Sequence, residues 1–328
     1  MEFRDFTTGK DDDGRRLDRV LRIFLQDKSL SEVYKLLRKG LIKVNQKKAK
    51  PDSHVNNGDI ISIAEFLFEP QPEANSKQTT EPAVKLNIIF ENEHLLIIDK
   101  PYGISVHGSQ GDKKAGLDKE VLAYLSAKNQ GQKNQSLSFR SGPLHRLDKN
   151  TTGLLVFSKS LEGAKWFSES IKNHTVHKKY LGIAEGKLLQ TEYWEDKLAD
   201  SPSDGGFYTV SQNNSGKQAQ TTATPLAHGH LPDHGKTGYE ITLVEYSIKT
   251  GRKHQIRAQS QLHGHPLAGD KAYGGMPDKQ LKREYYLHAY SLSFPSDNPL
   301  GLPEEIKTGL PQDYMALLEC CEIKNLGL

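Results

Sequence analysis

The chain has 328 residues, 26% of them charged and 35% drawn from AVILMFWYC, with 44 Lys/Arg against 41 Asp/Glu and two cysteines. This composition excludes a mostly disordered or collagen-like polymer, and the length suits two domains. The longest apolar runs, Leu95 to Ile98 and Leu154 to Phe157, fall far short of the ~18 residues of a membrane span, and the polar, acid-rich Met1 to Arg16 is not expected to be a secretory leader.

From Arg15 to Lys50 twelve Lys/Arg face only Asp18, Asp27 and Glu32, a local charge of +9 that attracts polyanions. Leu17, Val20, Leu21 and Phe24 recur at helical spacing, with Arg15, Arg19 and Arg22 expected along another face of the same helix. Ser29 followed by Glu32 is a capping-box pattern for a second helix, which should turn Leu30, Val33, Leu36 and Leu37 inward and stop at Gly40. Strands are expected over Leu41 to Val44 and, after an Asn57-Gly58 turn, over Asp59 to Ile63. This unit, and above all Leu37-Arg38-Lys39-Gly40-Leu41-Ile42-Lys43-Val44-Asn45, resembles the S4 RNA-binding domain. The resemblance implies RNA contacts from Arg15, Arg16, Arg19, Lys35, Arg38 and Lys39.

Residues 67–82 turn to Pro, Glu, Gln, Ser and Thr, the composition of a linker. The expected division is therefore a basic module at 1–66, a flexible linker at 67–82 and a second domain at 83–328. In that second domain Asn87 to Phe90 and Leu95 to Asp99 read as a hairpin, and Lys128 to Gln135 as a surface loop. Gly153 to Ser158, Lys179 to Glu185, Gln218 to Pro225, Gly238 to Ile248 and Tyr286 to Phe294 are further strand candidates. Leu161, Ala164, Phe167 and Ile171 mark a helix capped by Ser160. The pattern points to an α+β fold with a mainly antiparallel sheet. The adjacent Cys320 and Cys321 read as reduced thiols in a terminal helix.

Two segments carry chemistry. In His145-Arg146-Leu147-Asp148, alternate side chains share a face, so Arg146 and Asp148 should point away from His145 and Leu147. Asp148 precedes an apolar strand, where a rigid element can hold a reactive group. In Lys249 to Lys271, five Lys/Arg face only Asp270, and Thr250-Gly251-Arg252 at a strand-to-helix junction suits phosphate contacts. The three histidines there lack the spacing of a metal site.

His145-Arg146-Leu147-Asp148-x-x-Thr151-Thr152-Gly153 closely resembles the signature of the RluA/RluC/RluD family of pseudouridine synthases. The segments Asp99 to His107, Lys179-Tyr180-Leu181, Thr250 to Arg257 and Gly264 to Gly274 match the same family in order. The Arg38 to Asn45 segment leans toward its RluC-like, large-subunit rRNA members. The resemblance implies an isomerase that needs no cofactor or metal. In it Asp148 acts on an extruded uridine, Arg257 stands beside that carboxylate and Tyr180 stacks on the base. Arg146 fills the vacated position, Arg252 and His254 contact RNA, and His145 is structural support. It further implies a cytoplasmic monomer with large-subunit ribosomal RNA as partner and no membrane or dinucleotide. Thr152, Lys253 and Gln259 depart from the family's usual Ser, Thr and His, which bears on substrate choice. The competing readings are a catalytically silent RNA-binding or ribosome-assembly factor, a synthase acting on tRNA, and a metal-dependent nuclease or deaminase. The intact Asp148, Tyr180 and Arg257 argue against the silent factor, and the lack of a Pro-Cys-x-x-Cys pattern argues against the deaminase.

Overall fold

The computed structural model describes residues 1–68, 85–108, 116–128, 136–202, 208–212, 215–233, 236–279 and 281–324. The expected linker from residue 69 onward, and the Gln/Asn/Lys-rich stretch after Lys128, lie outside these residues.

In the N-terminal module, β1 (Phe3–Thr7), β3 (Ile42–Val44), β4 (Lys47–Lys48) and β6 (Ile60–Ala64) form a sheet in the order β1-β6-β3-β4. A separate pair joins β2 (Arg15–Arg16) to β5 (His54–Val55). Helices α1 (Leu17–Phe24) and α2 (Leu30–Lys39) pack Leu17, Val20, Leu21, Val33 and Leu37 onto Ile42, Ile61 and Ile63. The capping box at Ser29 and Glu32 forms as expected, and Gly40 ends α2 at φ +72°. Two expectations are corrected. Leu30 is 39% exposed, because it sits in the first turn of α2, at the very end of the helix. Arg15 is not on the α1 face: it pairs with Val55 in β2, and the helix starts two residues later. Leu67 and Phe68, assigned above to the linker, pack against the module's core.

The larger region is built on one long sheet. Its strands are β7 (Asn87–Glu91), β8 (Leu95–Lys100), β9 (Thr152–Ser158), β10 (His177–Glu185), β11 (Glu192–Pro202), β12 (Tyr208–Gln212), β13 (Lys217–Asp233), β14 (Lys236–Ile248), β15 (Leu287–Ser293) and β16 (Glu305–Lys307). The order is β12-β11-β13-β14-β10-β15-β9-β8-β7, with β16 on β15, and among the described residues only the β15–β9 contact is parallel. Helices α3 (Leu117–Lys128), α4 (Leu161–Lys172), α5 (Gln255–Leu262) and α6 (Gln312–Cys320) complete it. The central strand β9 is buried along its whole length. Leu155 and Phe157 join the cluster that contains α3 residues, and Leu154 and Val156 join the one that contains Phe167 of α4. A strand covered on both faces reads as a continuous apolar run, as this one does.

Gly153, the second residue of β9, has φ +109°, and a Cβ there would lie 2.2 Å from the Ala289 carbonyl oxygen on β15. Only glycine satisfies both demands, and the parallel contact with β15 depends on it.

A clasp joins the module to the larger region. The Asp12 carboxylate is fully buried. It accepts hydrogen bonds from the backbone N–H groups of Gly9, Leu137 and Ser138 and from the hydroxyls of Ser136 and Ser138. Burial opposes its charge, but these donors, Ser138 foremost, outweigh it and hold the pKa below the usual carboxylate value. Arg15 also donates to the Ser138 carbonyl and hydroxyl, and Leu137 packs against the module's core. Removing the carboxylate strands several buried donors, each costing about 1–3 kcal/mol. Asp12→Ala is therefore expected to speed amide hydrogen exchange in residues 3–64 ahead of β8 and β9. Exchange that stays as slow as in the wild type would rule out the clasp.

Candidate active site

The ends of β10 and β14, the turn before α5 and the loop before β9 converge on a cleft of about 650 Å³. Among the described residues its lining includes Arg146, Lys172, Lys178, Lys249, Arg252, Lys253 and Arg257 but a single carboxylate, that of Asp148. That imbalance suits a polyanionic ligand.

Asp148 begins a tight turn, closed by the Thr151 N–H donating to the Asp148 carbonyl at 3.1 Å. The turn is fastened from below by Lys100, a fully buried lysine at the end of β8. Its ammonium donates to the carbonyls of Lys149 and Thr151, both at 2.8 Å, and of Pro101 at 3.0 Å. Burial pulls the Lys100 pKa down to about 7, against the attraction of Asp148. Gly103 N–H adds a bond to the Lys149 carbonyl. The segment Asp99 to His107, which was quoted above without a role for Lys100, thus serves as the floor of the Asp148 turn.

The Asp148 carboxylate has Arg257 Nη1 at 3.8 Å on one oxygen and His254 Nε2 at 3.8 Å on the other. Arg257, on the first turn of α5, is itself tied to Asp270. Its Nε and Nη2 donate to the two Asp270 oxygens at 2.6 and 2.7 Å. The guanidinium also lies over the rings of Tyr285 (4.2 Å) and Tyr273 (4.7 Å). Burial penalises the Arg257 charge, yet the Asp270 carboxylate outweighs that and keeps its pKa above the ordinary value. His254 sits at φ +50° ahead of α5, with Nδ1 2.8 Å from the Tyr273 hydroxyl. Its pKa is lowered, mainly by burial.

Tyr180, on β10, lines the cleft, and burial followed by the nearby Asp148 charge keeps its hydroxyl protonated. The sequence motif gave no role to Asp270, Tyr273 or Tyr285, although Asp270 and Tyr273 fall inside the quoted Gly264 to Gly274 segment.

The remaining expected residues divide. Arg146 is exposed at the cleft, and Arg252 lines it while its Nε donates to the Gln218 carbonyl at 2.9 Å. Arg19, Lys35, Arg38 and Lys39 are exposed on the module. Arg15 instead donates to Ser138 in the clasp, and Arg16 pairs with Asp18 at 2.7 Å. Thr152 and Gln259 are not in the cleft lining. Thr152 bonds His288, and Gln259 is buried between Thr221 and Asp196. Of the three family departures only Lys253 lines the cleft, where it pairs with Asp200, whereas Thr152 and Gln259 are buried in the packing around it.

The family model described as RNA pseudouridylate synthase matches residues 94–262, and the S4 domain model matches 15–61. The chain belongs to the RNA pseudouridylate synthase family. It is 31% identical over 301 residues to ribosomal large subunit pseudouridine synthase C of Haemophilus influenzae, covering 88% of this chain and 86% of that one. It is 32% identical over 323 residues to ribosomal large subunit pseudouridine synthase D of Nitrosomonas europaea, covering 95% and 86%. Human RNA Pseudouridylate Synthase Domain Containing 1 shares the fold, with a TM-score of 0.55 at 21% identity over 73% of this chain and 89% of that structure. Among the described residues no helix is long and apolar enough to cross a membrane.

Within the signature of this family, His145 faces inward. Its ring stacks on Phe167, with centroids 6.1 Å apart, and its Nε2 accepts the Val156 N–H at 3.2 Å. Burial, reinforced by Lys178, pushes its pKa down to about 3. Burial likewise lowers His288 to about 4. Unfolded histidines titrate near ~6.5. Below that pH the unfolded chain binds protons that the folded chain refuses, so the stability from these groups is complete above ~6.5 and is lost as the pH falls toward 4 and 3. His145→Gln keeps an acceptor for Val156 and is expected to flatten the acid-side decline of unfolding free energy by up to ~1.4 kcal/mol per pH unit. Parallel curves from urea titrations of the two proteins would contradict this.

Proposed function

We propose that this chain isomerises uridines of large-subunit ribosomal RNA to pseudouridine, with Asp148 as the catalytic residue. The observation that carries the reading is the single carboxylate of a strongly cationic cleft, with Arg257 held at 3.8 Å. The large-subunit substrate is supported by the printed names of relatives that match over most of both chains.

The reaction breaks the N1–C1′ bond, turns the uracil and joins C5 to C1′, after which C5 loses its proton and N1 gains one, without change of oxidation state. A base inside a duplex cannot present these atoms, so the nucleotide leaves its stack. Arg146, exposed at the cleft, fills the vacated place. Tyr180 offers its ring to the uracil, and its hydroxyl, kept protonated by burial, serves as a relay in the loss of the C5 proton. Asp148 serves as nucleophile at C1′ or as the base that takes a ribose proton. Both roles need an ionised carboxylate, and Arg257 supplies the facing charge. Arg252 and His254 meet the RNA at the turn before α5.

Arg19, Lys35, Arg38 and Lys39 extend the polyanion surface onto the module, and the clasp at Asp12 fixes that surface relative to the cleft.

Asp148→Asn is expected to abolish pseudouridine formation, mapped on ribosomal RNA from cells with and without the gene, while RNA affinity changes less than about tenfold. Substantial turnover in this variant would end the assignment. Replacing Lys35, Arg38 and Lys39 together by Gln removes up to three phosphate contacts. The slope of log affinity against log salt should then become shallower by about 2–3. A wild-type slope would mean the module face does not dock RNA.

A further inference from the structure

One buried cation of the cleft has no part in the chemistry above. Lys178 lies two residues before Tyr180 on β10, so the two side chains share a strand face, and both line the cleft. Lys178 is only 7% exposed. Among the described residues its ammonium makes no hydrogen bond and no ion pair. Burial pulls its pKa down to about 8. Taking an ammonium out of water without a partner costs free energy that nothing in the free protein offsets.

The surroundings indicate what offsets it. A Cβ on Gly251 would lie 3.5 Å from the Lys178 ammonium, so any side chain at 251 would extend over it. The missing side chain leaves open the approach from the Thr250-Gly251-Arg252 turn. Two other cations of the cleft are already engaged, Arg257 by Asp270 and Lys253 by Asp200, and Asp148 does not pair with Lys178. Uracil is neutral, and its carbonyls would compensate a buried ammonium poorly. The anion that RNA brings is the phosphodiester, for which a compact lysine charge is suited.

We propose that Lys178, open beside Gly251, is a binding site for a backbone phosphodiester next to the extruded nucleotide. This rests on the proposed action on RNA. A phosphate held there shares a strand face with Tyr180, so sugar and base are fixed by one rigid element.

The test is a chemical double-mutant cycle read as RNA affinity. A hairpin of large-subunit ribosomal RNA that the wild-type chain binds is made with one neutral methylphosphonate at each phosphate in turn. Lys178→Met, which keeps the apolar stem, is expected to weaken binding of the unmodified hairpin about tenfold, and Lys178→Arg should recover most of it. One methylphosphonate should weaken wild-type binding by a similar factor yet leave the Met variant's affinity unchanged. Equal losses in both proteins at every phosphate, or full affinity in the Met variant, would overturn the proposal. Thermal unfolding shows whether the variant is folded, and should the Met variant unfold, the wild-type and Arg proteins carry the same cycle, with a coupled phosphate expected and uncoupled phosphates throughout overturning the site. Because binding is read, a wild-type chain that binds but forms no pseudouridine would refute the proposed function without touching this site.

Discussion

The bond between Arg257 and Asp270 governs the cleft. A guanidinium with both edges free would close on Asp148 as a bidentate pair, and the carboxylate would then be locked away from any substrate. Asp270 prevents this by taking Nε and Nη2 at 2.6 and 2.7 Å, which leaves Nη1 facing Asp148 at 3.8 Å. Asp148 thus receives a neighbouring positive charge without a hydrogen bond that would have to be broken. The rings of Tyr273 and Tyr285 add a second restraint on the guanidinium and help exclude water from it. The worth of this desolvated pair lies in orientation more than in stability.

Orientation of Asp148 itself comes from beneath. Lys100 gathers three carbonyls of its own strand end and of the 148–151 turn, and Gly153 lets β9 run against β15 directly after that turn. A turn fixed at both ends places the carboxylate within the tenths of an ångström that a reacting group requires. Burying a lysine this way is tolerable because the carbonyls compensate it, and its lowered pKa records the desolvation that remains.

How much of this could be read from the sequence follows from how local each signal is. The capping box at Ser29, the glycine stop at Gly40, the Ser160 cap and the apolar run of β9 depend on residues within a few positions, and all appear in the structure. Strand β1 was not expected because its partner β6 lies some fifty residues away and its residues show no alternation. Strands β11 and β12 are polar, with β12 at the sheet's edge and β11 next to it, where neither propensity nor pattern is strong. Asp148, Tyr180 and Arg257 come together as the motif resemblance implied. Asp270 and Lys100 looked like ordinary charged residues, because the partners that explain them, an arginine thirteen residues earlier and carbonyls some fifty residues later, are set by tertiary structure. Arg15 misled for the opposite reason: in sequence it continues a helical row, and in space it belongs to the clasp.

A net charge of +3 conceals the arrangement that matters, since the positive charge is concentrated in the cleft and on the module while the acids are spread elsewhere. A module tethered by the chain alone would range relative to the cleft, and RNA bridging both surfaces would have to overcome that freedom. The Asp12 clasp removes it before RNA arrives. In exchange, Arg15 is withdrawn from the basic surface and the Asp12 carboxylate is buried beside the stretch of charge +9. One cation lost to the clasp weakens phosphate attraction modestly, whereas an ordered pair of surfaces makes the second contact an intramolecular event. The clasp is therefore favoured for a long, structured RNA that touches both surfaces, and gives no advantage for a short one that reaches only the cleft.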